Sequence, residues 1–223
     1  MSSTAKEHEV TLRRSICEAG RRMYQQGLVV GSDGNLSARL DAERVLITPS
    51  GASKGFLNPE HLLVVNLEGQ VLDSPDPAAR PSSEMNMHLE AYRQRPDVGA
   101  VIHAHPPLAI ACTVAGISLE RPVLPEVVYH FGAIPTAPYA TPGTPEGAAA
   151  IRDLIGKHDA ILLDRHGSLT VGADIFQALM RLEWVEHVAK ILLAAHAAGQ
   201  VKELPKEAVE SLLTMRRRAH LGS

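Results

Sequence analysis

The sequence predicts a mixed fold, α/β or α+β, in which helices cover a central mixed sheet. Short apolar segments rich in β-branched residues alternate along the chain with longer amphipathic segments, so strands and helices interleave. The chain has 223 residues, of which 45% are hydrophobic, which is enough to enclose one sizeable core. No internal repeat, linker or low-complexity tract divides it. We therefore predict a single domain over residues 1–223.

The first half of the chain is predicted to begin with a helix and to continue as a meander of strands. Apolar residues recur at helical spacing over residues 9–26, and Gly27 is a suitable stop. Three short apolar runs bounded by turn residues then predict strands over residues 36–40, 44–48 and 62–67. A helix over residues 85–93 follows, because the serines before it can cap its first turn.

The second half is predicted to alternate strands with helices. Strands are expected over residues 98–104, 133–137, 160–163 and 168–171. Helices are expected over residues 108–115, 145–155, 174–198 and 207–218. The third of these helices is long and rich in alanine and leucine, and we expect it to be the main packing helix.

Composition and charge exclude several classes of protein. The net charge is −3, from 22 basic and 25 acidic residues, so nucleic-acid binding is not expected. The N-terminus lacks the apolar core of a signal peptide, and no stretch approaches the roughly 18 apolar residues that cross a bilayer. We therefore expect a cytoplasmic protein without a membrane partner. Cys17 and Cys112 are the two cysteines, and both are predicted to be buried thiols.

The most informative local pattern is the pair His103 and His105 at the end of an apolar, β-branched segment. Residues two apart on a strand project from the same face, so the two imidazoles can converge on one metal ion. A catalytic zinc site usually takes a third protein ligand and leaves one position open. His166 is the best candidate, since it lies in a turn between two apolar strands, while His88 and His130 are competitors.

Glu84 is the candidate acid–base residue. It follows Ser82 and Ser83 at a predicted helix N-terminus, where hydroxyls and free N–H groups can bind an anion. Two other loops, residues 31–37 and 48–51, are equally rich in small and hydroxyl-bearing residues. Together the three loops suggest a phosphate pocket, although each alone is also typical of a plain turn. Neither a Walker nor a dinucleotide glycine motif occurs, so a nucleotide is not the expected ligand.

Six motifs occur in a fixed order along the chain. They are GNLS at residues 34–37, ITPSG at 47–51, SSE at 82–84, VIHAH at 101–105, APYAT at 137–141 and RHG at 165–167. This ordered set resembles the class II aldolase/adducin family, which includes sugar-phosphate aldolases and 4-epimerases. The resemblance spans roughly residues 10–200.

The resemblance implies an αβα sandwich with a mainly antiparallel central sheet, usually assembled as a homotetramer with sites at subunit interfaces. It implies one divalent metal ion per subunit, most often Zn²⁺, on His103, His105 and His166. Three imidazoles with an open position also accept Mn²⁺, Co²⁺ or Fe²⁺. Glu84 would be the catalytic acid–base residue. By motif, the residues that would hold the substrate phosphate are Asn35, Ser50, Gly51, Ser82 and Ser83.

The activity that the resemblance implies is cleavage of a ketose 1-phosphate to dihydroxyacetone phosphate and an aldehyde, through an enediolate stabilised by the metal. Glu84 favours an aldolase, since the 4-epimerase is similar here but has Asp after the two serines. The main alternative is a decarboxylase of a 3-oxo sugar acid phosphate or a hydroxy acid on the same scaffold. A sugar-phosphate 4-epimerase and a non-catalytic, adducin-like module are further alternatives.

The resemblance leaves open which residue protonates the leaving aldehyde. The segment Leu124-Pro125-Glu126 stands about where a fuculose-phosphate aldolase would have a catalytic tyrosine, and residues 212–223 contain no tyrosine. Other side chains in the sequence could take over this role. They are Tyr129, Tyr139, His130 and His220.

Overall fold

The computed structural model describes residues 3–221 and the side chains of residues 5–219. The strands are β1 (Asn35–Arg39), β2 (Arg44–Ile47), β3 (Leu63–Asn66), β4 (Val71–Asp73), β5 (Ala100–Ala104), β6 (Thr136–Ala137), β7 (Ala160–Leu163) and β8 (Gly167–Gly172). The helices are α1 (Ser3–Gln25), α2 (Met85–Gln94), α3 (Pro107–Ala115), α4 (Pro125–His130), α5 (Glu146–Ile155), α6 (Ile175–Ala198) and α7 (Lys206–Leu221). Two 3-10 helices, Lys54–Phe56 and Pro59–His61, lie between β2 and β3.

All eight strands join in one sheet with the order β4-β3-β2-β1-β5-β8-β7-β6. Neighbouring strands are antiparallel except β6 and β7, which are parallel. Helices flank this sheet, so the predicted fold class, a mainly antiparallel central sheet between helical layers, is confirmed.

The sheet separates two apolar cores because successive strand residues point to opposite faces. Ile102 of β5 packs with α1 and α6 on one face, whereas the adjacent Val101 packs with α2 and α5 on the other. Residues of α3, α4 and α6 form a third cluster beside β7. Cys17 and Cys112 are buried free thiols, as predicted. No helix in the range 3–221 is both long and apolar enough to span a membrane.

Most predicted elements are present, and the differences have physical causes. Helix α1 begins at Ser3 rather than at residue 9, and the strand expected over 133–137 is reduced to Thr136–Ala137. Strand β4 is absent from the prediction. All three of its residues are exposed, so the strand buries no apolar face and has no alternating pattern to indicate it. Helix α4 was also missed, since the prolines around it favour a loop, although Pro125 occupies the first helical position, where proline is tolerated.

The topology brings four separate parts of the chain to one place. Asn35, the first residue of β1, lies opposite His103 of β5 in the antiparallel ladder. Ser168 of β8 lies opposite Ala104, so the turn from β7 to β8 approaches the end of β5. His166 is in that turn. The N-terminal end of α2, with Glu84 as its cap residue, completes the assembly.

Candidate metal centre and anion pocket

Four side chains form a compact cluster of potential metal ligands. One ligand atom from each of Glu84, His103, His105 and His166 lies within 4.8 Å of all the others. Each pair of imidazole centroids is 4.8–4.9 Å apart. His103 is fully buried, and the Glu84 side chain is 10% exposed. The structure therefore brings together the residues predicted from the His103–His105 pair, the turn before β8 and the start of α2.

Glycine at position 167 permits this convergence. A Cβ added at Gly167 would lie 2.2 Å from the carbonyl oxygen of Ala104 and 3.2 Å from Cε1 of His103. Any larger residue would push the His166 turn away from β5. Gly34 has a similar role on the other side, because it has a φ of +71° and its Cβ would lie 2.9 Å from the His103 carbonyl oxygen.

The hydrogen bonds of His103 and His105 indicate where their protons lie. Nδ1 of His103 donates to the carbonyl oxygen of Ser168 at 2.9 Å, and Nδ1 of His105 donates to Oδ2 of Asp33 at 3.2 Å. In the neutral imidazoles, both Nε2 atoms therefore carry a lone pair. These two atoms are only 3.0 Å apart. Facing lone pairs without a proton between them are the arrangement that a bound cation satisfies.

The donor set fits a divalent metal ion. Nitrogen ligands at 2.0–2.1 Å from a tetrahedral ion would be about 3.3 Å apart, close to the separation of the two Nε2 atoms. Oε1 of Glu84 is buried without a hydrogen-bond partner, although Nε2 of His166 lies 3.1 Å away. Burial disfavours the charged form of His105 and, together with the neighbouring His103 and His166, lowers its pKa to about 4 against the opposing effect of Asp33. His105 is thus neutral near pH 7, as a metal ligand must be.

Glu84 is held in its ionised form. Burial alone would favour the neutral carboxyl, but His103 and His166, when they are protonated, donate hydrogen bonds and place positive charge beside it, which keeps the pKa of Glu84 well below its usual range. Its Oε2 is 2.9 Å from Nε2 of His103 and accepts a hydrogen bond from Nδ2 of Asn35 at 3.3 Å. A carboxylate in this position can accept a proton from a ligand bound at the cluster.

His88 is not part of the cluster, so its candidacy as third ligand is wrong. It is completely buried, and burial lowers its pKa to about 3, which keeps it neutral. Its Nε2 donates to Oδ1 of Asn35 at 2.5 Å, while Nδ1 accepts from Oγ of Ser37 at 2.6 Å. Because Oδ1 of Asn35 is engaged in this way, the amide nitrogen is directed to Oγ of Ser82 at 2.9 Å and to Glu84.

A polar cavity lies beside the cluster. All five residues predicted to hold a phosphate line it, together with Glu84, His105 and other residues of the same loops. The predicted set is Asn35, Ser50, Gly51, Ser82 and Ser83. Sequence reasoning missed Asp33 and Lys54, which also line this cavity. The cavity, called the anion pocket below, offers hydroxyls, an amide and one lysine.

A second cavity lies on the other side of Glu84 and His166. The loop 138–144, Met87 and Leu163 form much of its wall, and its acidic lining groups are Glu84 and Asp164. Within residues 5–219, its lining contains no lysine or arginine. We call it the second cavity, and its lining suits a neutral or weakly polar group.

Of the candidates for proton donor, the three with described side chains, Tyr129, His130 and Tyr139, line neither cavity beside the cluster. Tyr129 and His130 line a different cavity with Trp184, whose ring centroid is 5.8 Å from that of His130. His130 is thus not the third ligand either. Tyr139 is 61% exposed between two residues of the second cavity. The side chain of His220 lies outside the described residues.

Comparison with known proteins agrees with this geometry. A 3-oxo-tetronate 4-phosphate decarboxylase of Haemophilus influenzae is 35% identical, over 82% of this chain and 87% of that protein. A 5-deoxy-D-ribulose 1-phosphate aldolase of Bacillus thuringiensis is 34% identical, over 90% of this chain and 92% of that protein. A solved L-fuculose 1-phosphate aldolase has a TM-score of 0.85 at 28% identity, covering 97% of this chain and 98% of that one.

The match to the family itself is extensive. Residues 14–193 match the family described as Class II Aldolase and Adducin N-terminal domain. This range contains the four residues of the cluster and every predicted phosphate-binding residue. The chain belongs to the class II aldolase and adducin family.

Proposed function

We propose that this protein is a metal-dependent aldolase that cleaves a ketose 1-phosphate to dihydroxyacetone phosphate and an aldehyde. The observation that carries the proposal is the position of Glu84 between two features. Its carboxylate lies against imidazoles of the cluster and accepts a hydrogen bond from Asn35 of the anion pocket. A substrate with its phosphate in that pocket would thus present its carbonyl carbon to the cluster and the neighbouring carbon to Glu84.

The three histidines of the cluster are proposed to hold the divalent ion. His103, His105 and His166 offer imidazole nitrogens, a donor set typical of Zn²⁺ that also suits Mn²⁺, Co²⁺ or Fe²⁺. When bound, the ion would polarise the substrate carbonyl and stabilise negative charge on its oxygen. The ionised Glu84 would accept a proton from the carbon beside that carbonyl in the condensation direction. In cleavage, the same carboxyl group would return the proton to this carbon.

The proposed phosphate ligands would bind and orient the substrate without taking part in bond breaking. The hydroxyls of Ser50, Ser82 and Ser83, the amide of Asn35 and the backbone of Gly51 would donate hydrogen bonds to phosphate oxygens. Oγ of Ser82 accepts from Asn35, which leaves its own proton free for an anion. Fixing the phosphate end in this way holds the reacting carbons within reach of Glu84.

A decarboxylase of a 3-oxo sugar acid phosphate is the second candidate, supported by the 35% identical relative from Haemophilus influenzae. The second cavity favours the aldolase. A substrate carboxylate placed there would meet the acidic groups of Glu84 and Asp164 without an arginine or lysine from the described lining. A departing aldehyde would be neutral and would meet no such repulsion.

The proposed assembly is a homotetramer in the cytoplasm with sites at subunit interfaces. Within residues 5–219, neither cavity beside the cluster is lined by a tyrosine that could take the proton from the hydroxyl that becomes the aldehyde, or return it in condensation. A neighbouring subunit would then supply this group. Light scattering on the purified protein tests this, with an expected mass of four chains of 24.0 kDa each. A monomer with full activity would contradict it.

The decisive test of the reaction is a product assay. Metal-loaded protein is incubated with a panel of ketose 1-phosphates and, separately, with 3-oxo acid phosphates, and dihydroxyacetone phosphate and carbon dioxide are measured. We expect dihydroxyacetone phosphate from the ketoses. Carbon dioxide from the acids alone would favour the second candidate, and neither product would overturn both.

Substitution of Glu84 tests its assigned role in the same assay. Glu84→Gln removes the proton acceptor but keeps the shape, so turnover should fall by about 10²–10⁴-fold with metal content unchanged. The exposed Glu68→Gln is the matched control, and it should retain full turnover. An active Glu84→Gln protein would remove Glu84 from the chemistry.

A further inference from the structure

Lys54 is an unusual residue of the anion pocket because it is almost completely buried. Its exposed fraction is 2%, in the 3-10 helix Lys54–Phe56 that packs on α1. Close packing depends on Gly20, since a Cβ there would lie 2.7 Å from the carbonyl oxygen of Lys54. The backbone at Lys54 is therefore held against α1 while its side chain extends to the pocket lining. A lysine is seldom buried without a functional or structural reason.

The ammonium group of Lys54 joins two walls of the anion pocket. Nζ donates to the carbonyl oxygen of Ser32 at 2.7 Å and to that of Ala52 at 2.5 Å. Ser32 belongs to the loop that also carries Asn35, and Ala52 follows Ser50 and Gly51 in the second loop. An ammonium group has three donors, so one remains after these two bonds.

The charge of Lys54 is not neutralised by an ion pair within residues 5–219. Its two hydrogen-bond partners are neutral carbonyl groups, and Asp33 is the carboxylate whose charge acts on it. The Asp33 side chain is itself hydrogen-bonded to His105. Burial lowers the pKa of Lys54 to about 8, with Asp33 opposing this effect, so the ammonium form still prevails at neutral pH.

The remaining groups of the pocket make this charge more significant. Asp33 and Glu84 are both acidic and would repel a phosphate monoester dianion, while the serine hydroxyls and the Asn35 amide are neutral. Among the described residues that line the pocket, Lys54 is the one lysine or arginine. An anion in the pocket would satisfy the third donor and compensate the buried positive charge at the same time.

We propose that Lys54 is the cation of the anion pocket: it ties the loops of Ser32 and Ala52 together and supplies the positive charge that selects a phosphorylated substrate. This inference rests on the proposed function, because the pocket is assigned there to the phosphate end of the substrate. The other hydrogen-bond donors of the pocket are neutral, so the charge of Lys54 determines its specificity for a phosphorylated substrate. An uncharged substrate of the same shape would leave the buried ammonium group uncompensated.

Binding of methyl phosphate to the metal-loaded protein tests the inference. Calorimetry is carried out on the wild type, Lys54→Met, Lys54→Gln and Lys157→Gln, the last being a control that neutralises an exposed lysine. A charged hydrogen bond corresponds to about ten-fold or more in affinity. We expect both Lys54 variants to bind methyl phosphate at least about ten-fold more weakly, with unchanged metal content. The control should match the wild type. Lys54→Gln retains an amide donor for the loop carbonyls and serves if Lys54→Met does not fold.

The outcomes separate this inference from the proposed function. If the wild type binds methyl phosphate and the folded Lys54 variants bind it equally well, Lys54 is only a structural tie and the inference is wrong. Loss of the metal together with the phosphate would also overturn it, because the effect would then be general. If the wild type binds no methyl phosphate and cleaves unphosphorylated ketoses as well as phosphorylated ones, the phosphate pocket itself fails. In the kinetic assay, the Lys54 variants should raise KM for a ketose 1-phosphate more than they lower kcat.

Discussion

The cluster of potential metal ligands and the anion pocket adjoin one another but are built in different ways. The cluster takes His103 from a central strand and His166 from a tight turn between two strands, so the register of the sheet fixes their positions. The pocket takes its donors from three loops, which are held together by buried side chains such as His88 and Lys54. The sheet thus sets the geometry of the potential ligands, whereas side-chain hydrogen bonds set the geometry of the pocket.

Removal of a cluster histidine should have the largest effect. His103→Ala and His166→Ala each take away one of three nitrogen ligands, so we expect metal content after dialysis to fall to background. Activity should fall by at least about 10³-fold, because several kcal/mol of charge stabilisation are lost. Elemental analysis and the aldolase assay measure both. The exposed His8→Ala is the control, and full metal content in either cluster variant would disprove the three-histidine site.

A carboxylate on the boundary between the two regions should have a smaller effect. Asp33 lines the anion pocket, yet its Oδ2 accepts from Nδ1 of His105 and so fixes the orientation of that ring. Partners of this kind typically contribute about 10–100-fold to metal affinity. Asp33→Ala should therefore weaken metal binding by that factor in a competition titration with a chelator. The exposed Asp153→Ala should not, and equal affinities would show that the His105 ring is held by its strand alone.

The difference between the regions also explains what the sequence could reveal. His103 and His105 were recognisable because a strand has a period of two, and His166 because glycine and apolar strands surround it. Asp33 and Lys54 gave no comparable signal, since an aspartate between glycines and a lysine in a turn are both typical of exposed loops. Their roles arise from tertiary contacts, with His105 and with Gly20, that no local pattern contains.

The same reasoning applies to the fold. The long α6 and the buried strands were predicted closely because their own side chains face the core. The exposed β4 and the two-residue β6 depend on pairing with neighbours, and α4 depends on packing beside α6 and α7. His88 was considered as a ligand because its chemistry allows it. Its hydrogen bonds with Asn35 and Ser37 depend on the three-dimensional arrangement, which the sequence does not show.

Acidification should act on the pocket through His88. Its pKa is about 3 in the fold and about 6.5 when unfolded, so the unfolded chain binds more protons between these values. Stability must then fall as the pH drops from 6.5 towards 3, by about 1.4 kcal/mol per pH unit from this residue. Between pH 6.5 and 5, the loss of unfolding free energy measured with urea should be about 1.6 kcal/mol smaller in His88→Gln than in the wild type. His105, whose pKa is also lowered, is common to both proteins and cancels. An equal loss of unfolding free energy in both proteins would mean that His88 is not a buried, neutral residue that connects Asn35 to Ser37.

The smallest expected effect concerns backbone conformation, in which the two regions also differ. The loops of the anion pocket place glycines at their left-handed positions, with φ values of +58° at Gly31, +71° at Gly34 and +74° at Gly51. The turn that carries His166 of the ligand cluster instead has Arg165 at a φ of +57°, where a Cβ is unfavourable. Its backbone N–H donates to Oγ1 of Thr113 at 2.9 Å, and its side chain is 64% exposed.

Replacing Arg165 with a residue that tolerates this conformation should therefore stabilise the turn. Asparagine adopts the left-handed region more readily than arginine, and we expect Arg165→Asn to increase stability by about 0.5–1 kcal/mol. For a chain of this size, that corresponds to a rise in Tm of roughly 1–4 °C, measurable by calorimetry. Arg14→Asn, at an exposed position of α1, should lower Tm instead. Because the Thr113 bond uses the backbone, metal affinity should not change. A lower Tm in Arg165→Asn would show that the arginine side chain stabilises the turn by more than its backbone strain costs.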